Sequence, residues 1–209
     1  GWTRCESVPF DVSLGMARSD DGGETFVKLG RGPMLSASLH EPFVVTSPKI
    51  RRYGGTWYLA YTAGAKWFMA DGRAEIVYKL RMAHSADGIE WTRVNRNIVA
   101  DRLGPDEAQA CPDIIERNGV YHMFFCYREA TNFRFAKDRT YRIGYARSTD
   151  LLNWHRDDSK VGIDISAEGW DSEMVAYPHV LEVDGSIYMF YLGNQVGRYG
   201  FGLAKLEGD

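Results

Sequence analysis

Asp171 and Glu173, two residues apart in Gly169-Trp170-Asp171-Ser172-Glu173, are the pair most suited to chemistry. Alternate residues of an extended segment share a face, so both carboxylates can point to one place. Glycoside cleavage asks for such a pair, one protonated to assist the leaving oxygen and one ionised as nucleophile or base. The same two side chains would equally serve a loop by holding backbone amides or an arginine. Arg128 and Arg142 carry planar forks that suit a carboxylate, a phosphate or two vicinal hydroxyls, with an ion pair such as Arg128 to Glu129 as the alternative. Lys79, Arg81, Tyr177, His179, Asn194, Trp67 and Glu41 complete the set predicted to bind substrate. Sugars present hydroxyls to polar partners and apolar faces to aromatic rings, and this mixture offers both.

An internal repeat positions these residues. Ser47-Pro48-Lys49-Ile50, Cys111-Pro112-Asp113-Ile114 and Tyr177-Pro178-His179-Val180 align, and a turn and an aromatic segment follow each. A second pattern, Arg81-Met82-Ala83-His84-Ser85 and Gly144-Tyr145-Ala146-Arg147-Ser148, is echoed by Gly15-Met16-Ala17-Arg18-Ser19 and Gly202-Leu203-Ala204-Lys205. Aspartate turns lead from three of these into Glu24–Lys28, Glu90–Val94 and Asn153–Arg156. The repeat, about 60 to 66 residues long, reads as four short strands joined by turns, and no segment has the pattern of an amphipathic helix. Gly54-Gly55, Asn118-Gly119 and Asp184-Gly185 supply residues that tolerate positive φ.

Four antiparallel strands cannot cover both of their own faces, whereas several such sheets arranged radially can. The predicted fold is therefore all-β, a β-propeller of five-bladed type that is incomplete in this chain. Residues 1–33 are expected to form half a blade, 34–100 and 101–160 two blades, and 161–209 a blade lacking its outer strand. Roughly 100 residues are expected upstream in a complete protein, or self-association of a second copy through the open ends. In this topology the D-to-A and B-to-C connections share one rim, so the candidate residues converge there. Lys49, Asp113 and His179 fall at one equivalent position on inner strands.

Bulk properties exclude several classes. With 28 acidic and 25 basic side chains and no long block of either sign, neither nucleic acid nor a membrane surface is an expected partner. Three scattered cysteines and five histidines show no metal-ligand spacing, so no cofactor or metal is expected, and the thiols read as idle. The lack of a disulfide framework favours a cytoplasmic setting.

The proline-led strands, the Trp57-Tyr58-x-x-Tyr61 second strand and the Ala83-x-Ser85-x-Asp87-Gly88-x-x-Trp91 third and fourth strands resemble the five-bladed propeller superfamily of invertases, levansucrases and arabinanases. The ending Gly169–Pro178, Tyr191-Leu192-Gly193-Asn194 and Gly200–Ala204 resembles a glycosidase-like bacterial subgroup of it. The resemblance implies a carbohydrate-active protein, a hydrolase or glycosyl transferase with its site on the rim, or a non-catalytic carbohydrate-binding accessory. In invertase-like members a glutamate acid precedes a Cys-Pro or Gly-Pro strand entrance. Here Thr46, Ala110 and Ala176 stand at those places, so that role does not carry over.

Overall fold

The computed structural model describes residues 2–207, without the side chains of Trp2 and Arg4. Its strands are β1 (Trp2–Cys5), β2 (Val8–Phe10), β3 (Met16–Arg18), β4 (Val27–Leu29), β5 (Val45–Tyr53), β6 (Thr56–Ala70), β7 (Arg73–Ser85) and β8 (Thr92–Arg93). They continue with β9 (Ala108–Arg117), β10 (Val120–Arg128), β11 (Arg142–Ser148), β12 (His155–Arg156), β13 (Ala176–Val183), β14 (Ser186–Leu192) and β15 (Phe201–Lys205). The sheets are β1-β2, β3-β4, β5-β6-β7-β8, β9-β10-β11-β12 and β13-β14-β15, and every pairing is antiparallel. The larger sheets pack face to face in chain order, as blades do. Among the described residues no helix is long and apolar enough to cross a membrane.

Turn chemistry sets the hairpins. Asn118 and Gly119 (φ 54° and 76°), like Asp184 and Gly185 (φ 49° and 73°), take the left-handed geometry that matches the twist of the flanking strands. The aspartate turns are built from side chain to backbone. Ser85 Oγ donates to Asp87 Oδ1 (2.9 Å), and the amides of Ile89 and Glu90 donate to the same oxygen (2.8 and 2.9 Å). Asp150 repeats the arrangement with Leu152 and Asn153.

Apolar clusters lie between successive sheets. Leu80 and Met82 of one four-stranded sheet meet Ile114, Met123 and Phe125 of the next. Burying each such side chain contributes roughly 1.5–3 kcal/mol. Two features add to the sequence-based expectation. Residues 1–33 hold the hairpin β1-β2 besides β3 and β4. Strands β6 and β7 also run on past the rim as a long hairpin, through a register shift between Gly64 and Lys66. Gly64 is required there, because a Cβ would meet Phe43 Cβ at 3.0 Å and Val44 N at 3.2 Å.

Candidate functional site

The ends of β5, β9 and β13, the extended β6-β7 hairpin and the loop before β11 surround a cavity of about 890 Å³. Three inner strands enter it the same way. Ser47, Cys111 and Tyr177, each followed by proline, have φ of 52°, 53° and 54°, and the ladder shifts register beside each. A residue before proline is ordinarily held extended, so the same departure in three blades is strain that the surrounding packing must enforce. Gln195 and Val196, at φ of 55° and 57° on the cavity edge, add two more residues in this region. Such strain gathers at ligand-contacting places.

Of the residues predicted from sequence, Glu173, Arg128, Tyr177 and Trp67 line this cavity. Arg128 is buried, with its guanidinium 3.5 Å from the centre of the Phe133 ring and 5.4 Å from that of Tyr141. Its Nη1 donates to the Glu129 carbonyl (2.8 Å), while its Nε is buried without an acceptor among the described residues. The indole Nε1 of Trp67 is likewise buried without an acceptor, and the edge of Phe10 fixes its ring at 4.9 Å. Buried donors are normally satisfied, and both of these belong to residues of the cavity wall.

Glu173 is exposed at the cavity wall and has no ion pair among the described residues. Asn194 holds it in place, its Oδ1 accepting from the amides of Glu173 (2.8 Å) and Met174 (3.2 Å). Asp171 does not share that face. It is buried, accepts from the Tyr191 hydroxyl (3.1 Å) and lies off the cavity lining. The physical reason is that residues 169–173 form a turn, closed by Ser172 Oγ donating to the Gly169 carbonyl (2.9 Å), so the two-residue period of a strand does not apply.

The other predicted residues are engaged elsewhere. Lys79 spends its three donors on Asp101 (2.6 Å) and on the carbonyls of Pro105 and Glu107 (3.1 and 2.9 Å), leaving none for a ligand. Arg142 splints the wall, donating to the carbonyls of Tyr141, Glu173 and Lys137 and pairing with Asp164. Glu41 is fully buried, accepts from the Tyr61 hydroxyl (2.6 Å) and pairs with Arg93. Arg81 donates to the His40 carbonyl (3.2 Å).

His179 lies two residues along β13 from the cavity and meets its two equivalents on the axis. Its Nδ1 is 2.6 Å from Asp113 Oδ2 and 2.9 Å from Lys49 Nζ. One ring nitrogen cannot donate to the carboxylate and accept from the ammonium at once, so a given tautomer makes only one of these two contacts a hydrogen bond. Asp113, fully buried, also accepts from Arg51 (2.7 Å) and from the amides of Ile114 and Val180 (3.0 Å each). A single carboxylate thus ties three blades together beneath the cavity.

Sequence reasoning missed the loop residues Phe133, Arg134, Phe135 and Lys137, which form one wall, and Glu75 opposite, paired with Arg134. The only available signal was alternating aromatic and basic character in a B-to-C connection longer than its equivalents. Cys111 also lines the cavity. Its pKa is lowered, first by a hydrogen bond with the Cys126 thiol and then by the Ser47 hydroxyl, against the opposing effect of burial. Burial pushes the Tyr78 phenol up to about 12 and raises that of Tyr177, so both are donors at neutral pH.

No protein-family description matches the chain. An uncharacterized protein of Mycobacterium tuberculosis is 36% identical over 208 residues, 99% of this chain and 65% of the relative. A 1,2-beta-oligomannan phosphorylase of Thermoanaerobacter sp. (strain X514) is 29% identical over 198 residues, 93% of this chain and 58% of that protein. The chain therefore spans about three fifths of the length of the curated relatives it matches. Among solved structures, the protein of an RGII complex superposes with a TM-score of 0.73 at 21% identity, over 97% of this chain and 59% of that one. A glycoside hydrolase superposes with a TM-score of 0.70 at 21% identity, over 93% of this chain and 57% of that one. At that identity the likeness is one of fold, the propeller type found among glycoside hydrolases.

Proposed function

We infer that this chain forms most of the cleft of a carbohydrate-active protein that transfers a glycosyl group to phosphate. One observation carries this: three cationic side chains, Arg128, Arg134 and Lys137, line one cavity with the rings of Trp67, Tyr141 and Tyr177. Hydrolysis needs two carboxyl groups about a water, but phosphorolysis supplies its own anionic nucleophile and needs one acid. The wall matches that requirement. Glu75 is committed to Arg134, Glu173 has no ion pair among the described residues, and the cations outnumber the carboxylates.

In this mechanism a phosphate oxygen bonds to the anomeric carbon as the glycosidic carbon–oxygen bond breaks. The carboxyl of Glu173 gives its proton to the departing sugar oxygen, and the products are a sugar 1-phosphate and a shortened saccharide. Trp67, Tyr141 and Tyr177 supply ring faces and hydroxyls to the sugar, and the Arg128 fork holds the phosphate. The Thermoanaerobacter relative, a phosphorylase of 1,2-beta-oligomannan, supports this choice of reaction and substrate. A non-catalytic saccharide-binding role is favoured by Thr46, Ala110 and Ala176, which stand where invertase-like proteins place their acid.

The test is incubation with 1,2-beta-oligomannan with and without inorganic phosphate, following sugar 1-phosphate by chromatography and ligand binding by thermal shift. Sugar 1-phosphate formed only with phosphate supports phosphorolysis, and an oligomannan-dependent shift without product supports the binding role. Free mannose released equally without phosphate, or no response to either compound, contradicts the proposal.

A further inference from the structure

Two of the three cysteines meet where β9 enters the cavity. Cys126 of β10 pairs with Ala110 of β9, and the ladder shifts register directly beside that pair, which leaves Cys111 outside the regular pairing. Cys111 is held by the preceding blade instead. Its φ is 53°, its amide donates to Thr62 Oγ1 (3.0 Å) and its thiol to Ser47 Oγ (3.5 Å). Cys126 is fully buried behind it, with Sγ 3.2 Å from the Ala110 carbonyl oxygen, the peptide oxygen next to Cys111. Cys111 packs against the cluster that contains Cys126, and the two thiols are hydrogen-bonded to each other.

The blade itself does not require thiols at these places. Thr46 pairs with Thr62 and Ala176 with Leu192 where Ala110 pairs with Cys126, so the equivalent couples are Ser47 with Thr62 and Tyr177 with Leu192. What distinguishes the two sulfurs is access. Cys111 is half-buried and lines the cavity, whereas Cys126 is sealed in the core behind it. The thiolate is the reactive form of cysteine, and the Cys126 thiol, before Ser47 and Lys49, favours it at Cys111 against the effect of burial. The third thiol, Cys5, is exposed and lies 3.2 Å from Ser7 Oγ.

We propose that Cys111 and Cys126 are a peroxide-responsive thiol pair, Cys111 meeting hydrogen peroxide in the cavity and Cys126 closing a disulfide from the core side. In the first step the Cys111 thiolate attacks one peroxide oxygen. A sulfur–oxygen bond forms, the oxygen–oxygen bond breaks, and the departing hydroxide takes up the proton that Cys111 released, leaving water and a sulfenic acid. In the second step the Cys126 sulfur attacks that of Cys111. The sulfur–sulfur bond forms, the sulfur–oxygen bond breaks, and hydroxide leaves as water with the Cys126 proton. The two thiols together lose two electrons and one peroxide becomes two waters. The new bond draws the Cys111 sulfur from Ser47 onto its own blade, so one link between blades at the cavity wall is lost.

The test uses the full chain carrying Cys5→Ser, treated with hydrogen peroxide, then denatured and alkylated with iodoacetamide for intact-mass and peptide analysis. Both alkylation sites should be lost together, with a peptide joining Cys111 to Cys126 within one chain, a mass lower by about 2 Da before alkylation, and full recovery in dithiothreitol. With Cys126→Ser added, dimedone should trap Cys111 as its sulfenic acid. With Cys111→Ser added instead, Cys126 should stay alkylatable. Two thiols that remain alkylatable after peroxide, oxygen adducts on Cys111 beside a free Cys126, or a disulfide between two copies overturn the proposal. So does oxidation of Cys126 at an undiminished rate in Cys111→Ser. The first measurement needs neither added substitution, so it decides the matter even where those variants unfold.

Discussion

The axis beneath the cavity and the cavity itself are built from similar side chains but treat their hydrogen-bonding capacity in opposite ways. On the axis Asp113 is fully buried and accepts from Arg51, His179 and two backbone amides. In the cavity Arg128 and Trp67 are held just as firmly by rings, yet each keeps a buried donor without an acceptor among the described residues. Satisfied buried charge binds the blades to one another, whereas cationic and aromatic side chains open onto the cavity. Saturation separates Asp113 from the cavity wall, and it does so locally, since Arg81 Nε and Trp91 Nε1 away from the cavity also have no acceptor among the described residues.

This contrast can be broken first at its scaffold end. Asp113→Ala removes a fully buried acceptor and leaves Arg51 only the carbonyls of Ile50 and Ile114, with Lys49 and His179 beside it unneutralised, so a loss of about 2–4 kcal/mol is expected in urea unfolding. A loss below about 1 kcal/mol would show that the axis is not what joins the blades. At the cavity end, Trp67→Phe keeps the ring and deletes the orphan donor. Saccharide affinity should fall by about 0.5–1.5 kcal/mol in calorimetry with the unfolding midpoint unmoved, and undiminished affinity would take the indole N–H out of the site.

Legibility followed the same division. The four-strand repeat could be read because each joint carries a residue with a mechanical reason to be there, such as Asn118-Gly119 for a left-handed turn or Asp87 for backbone amides. Antiparallel topology then sufficed to bring Arg128, Trp67, Tyr177 and Glu173 to one rim, and Lys49, Asp113 and His179 to one axial level. The wall from Phe133 to Lys137 could not be read, because a loop has no period. Asp171 was expected beside Glu173 on the assumption of an extended segment, and the turn at Gly169 sends the two apart. Which polar groups are saturated depends on contacts between blades, such as Arg156 with Glu107, that no local pattern encodes.

Acid sensitivity offers a gentler test of the scaffold. The carboxyls of Asp87 and Asp150 are held below the usual range chiefly by backbone amides, those of Glu90 and Asn153 first, and that of Asp21 chiefly by the Ser19 hydroxyl. A pKa depressed on folding contributes stability that is complete above the unfolded value of about 4 and is lost as pH falls through the folded values. Melting temperatures should therefore hold steady down to about pH 4 and decline below it, less steeply in Asp87→Asn. A decline already under way at pH 6 would assign the effect to other groups. The smallest change expected is in the stability of Glu173→Gln, within about 0.5 kcal/mol because the side chain is exposed, alongside loss of sugar 1-phosphate formation. Retained turnover would remove Glu173 as the acid.

The most direct measurement is calorimetric titration of inorganic phosphate into the wild-type protein and into Arg128→Lys, which keeps the charge but not the fork or the Nε donor. Saturable binding by the wild type, weakened at least about tenfold by the substitution, is the predicted result. Equal binding by both proteins, or none by the wild type, would contradict the assignment of the Arg128 wall of the cavity to phosphate.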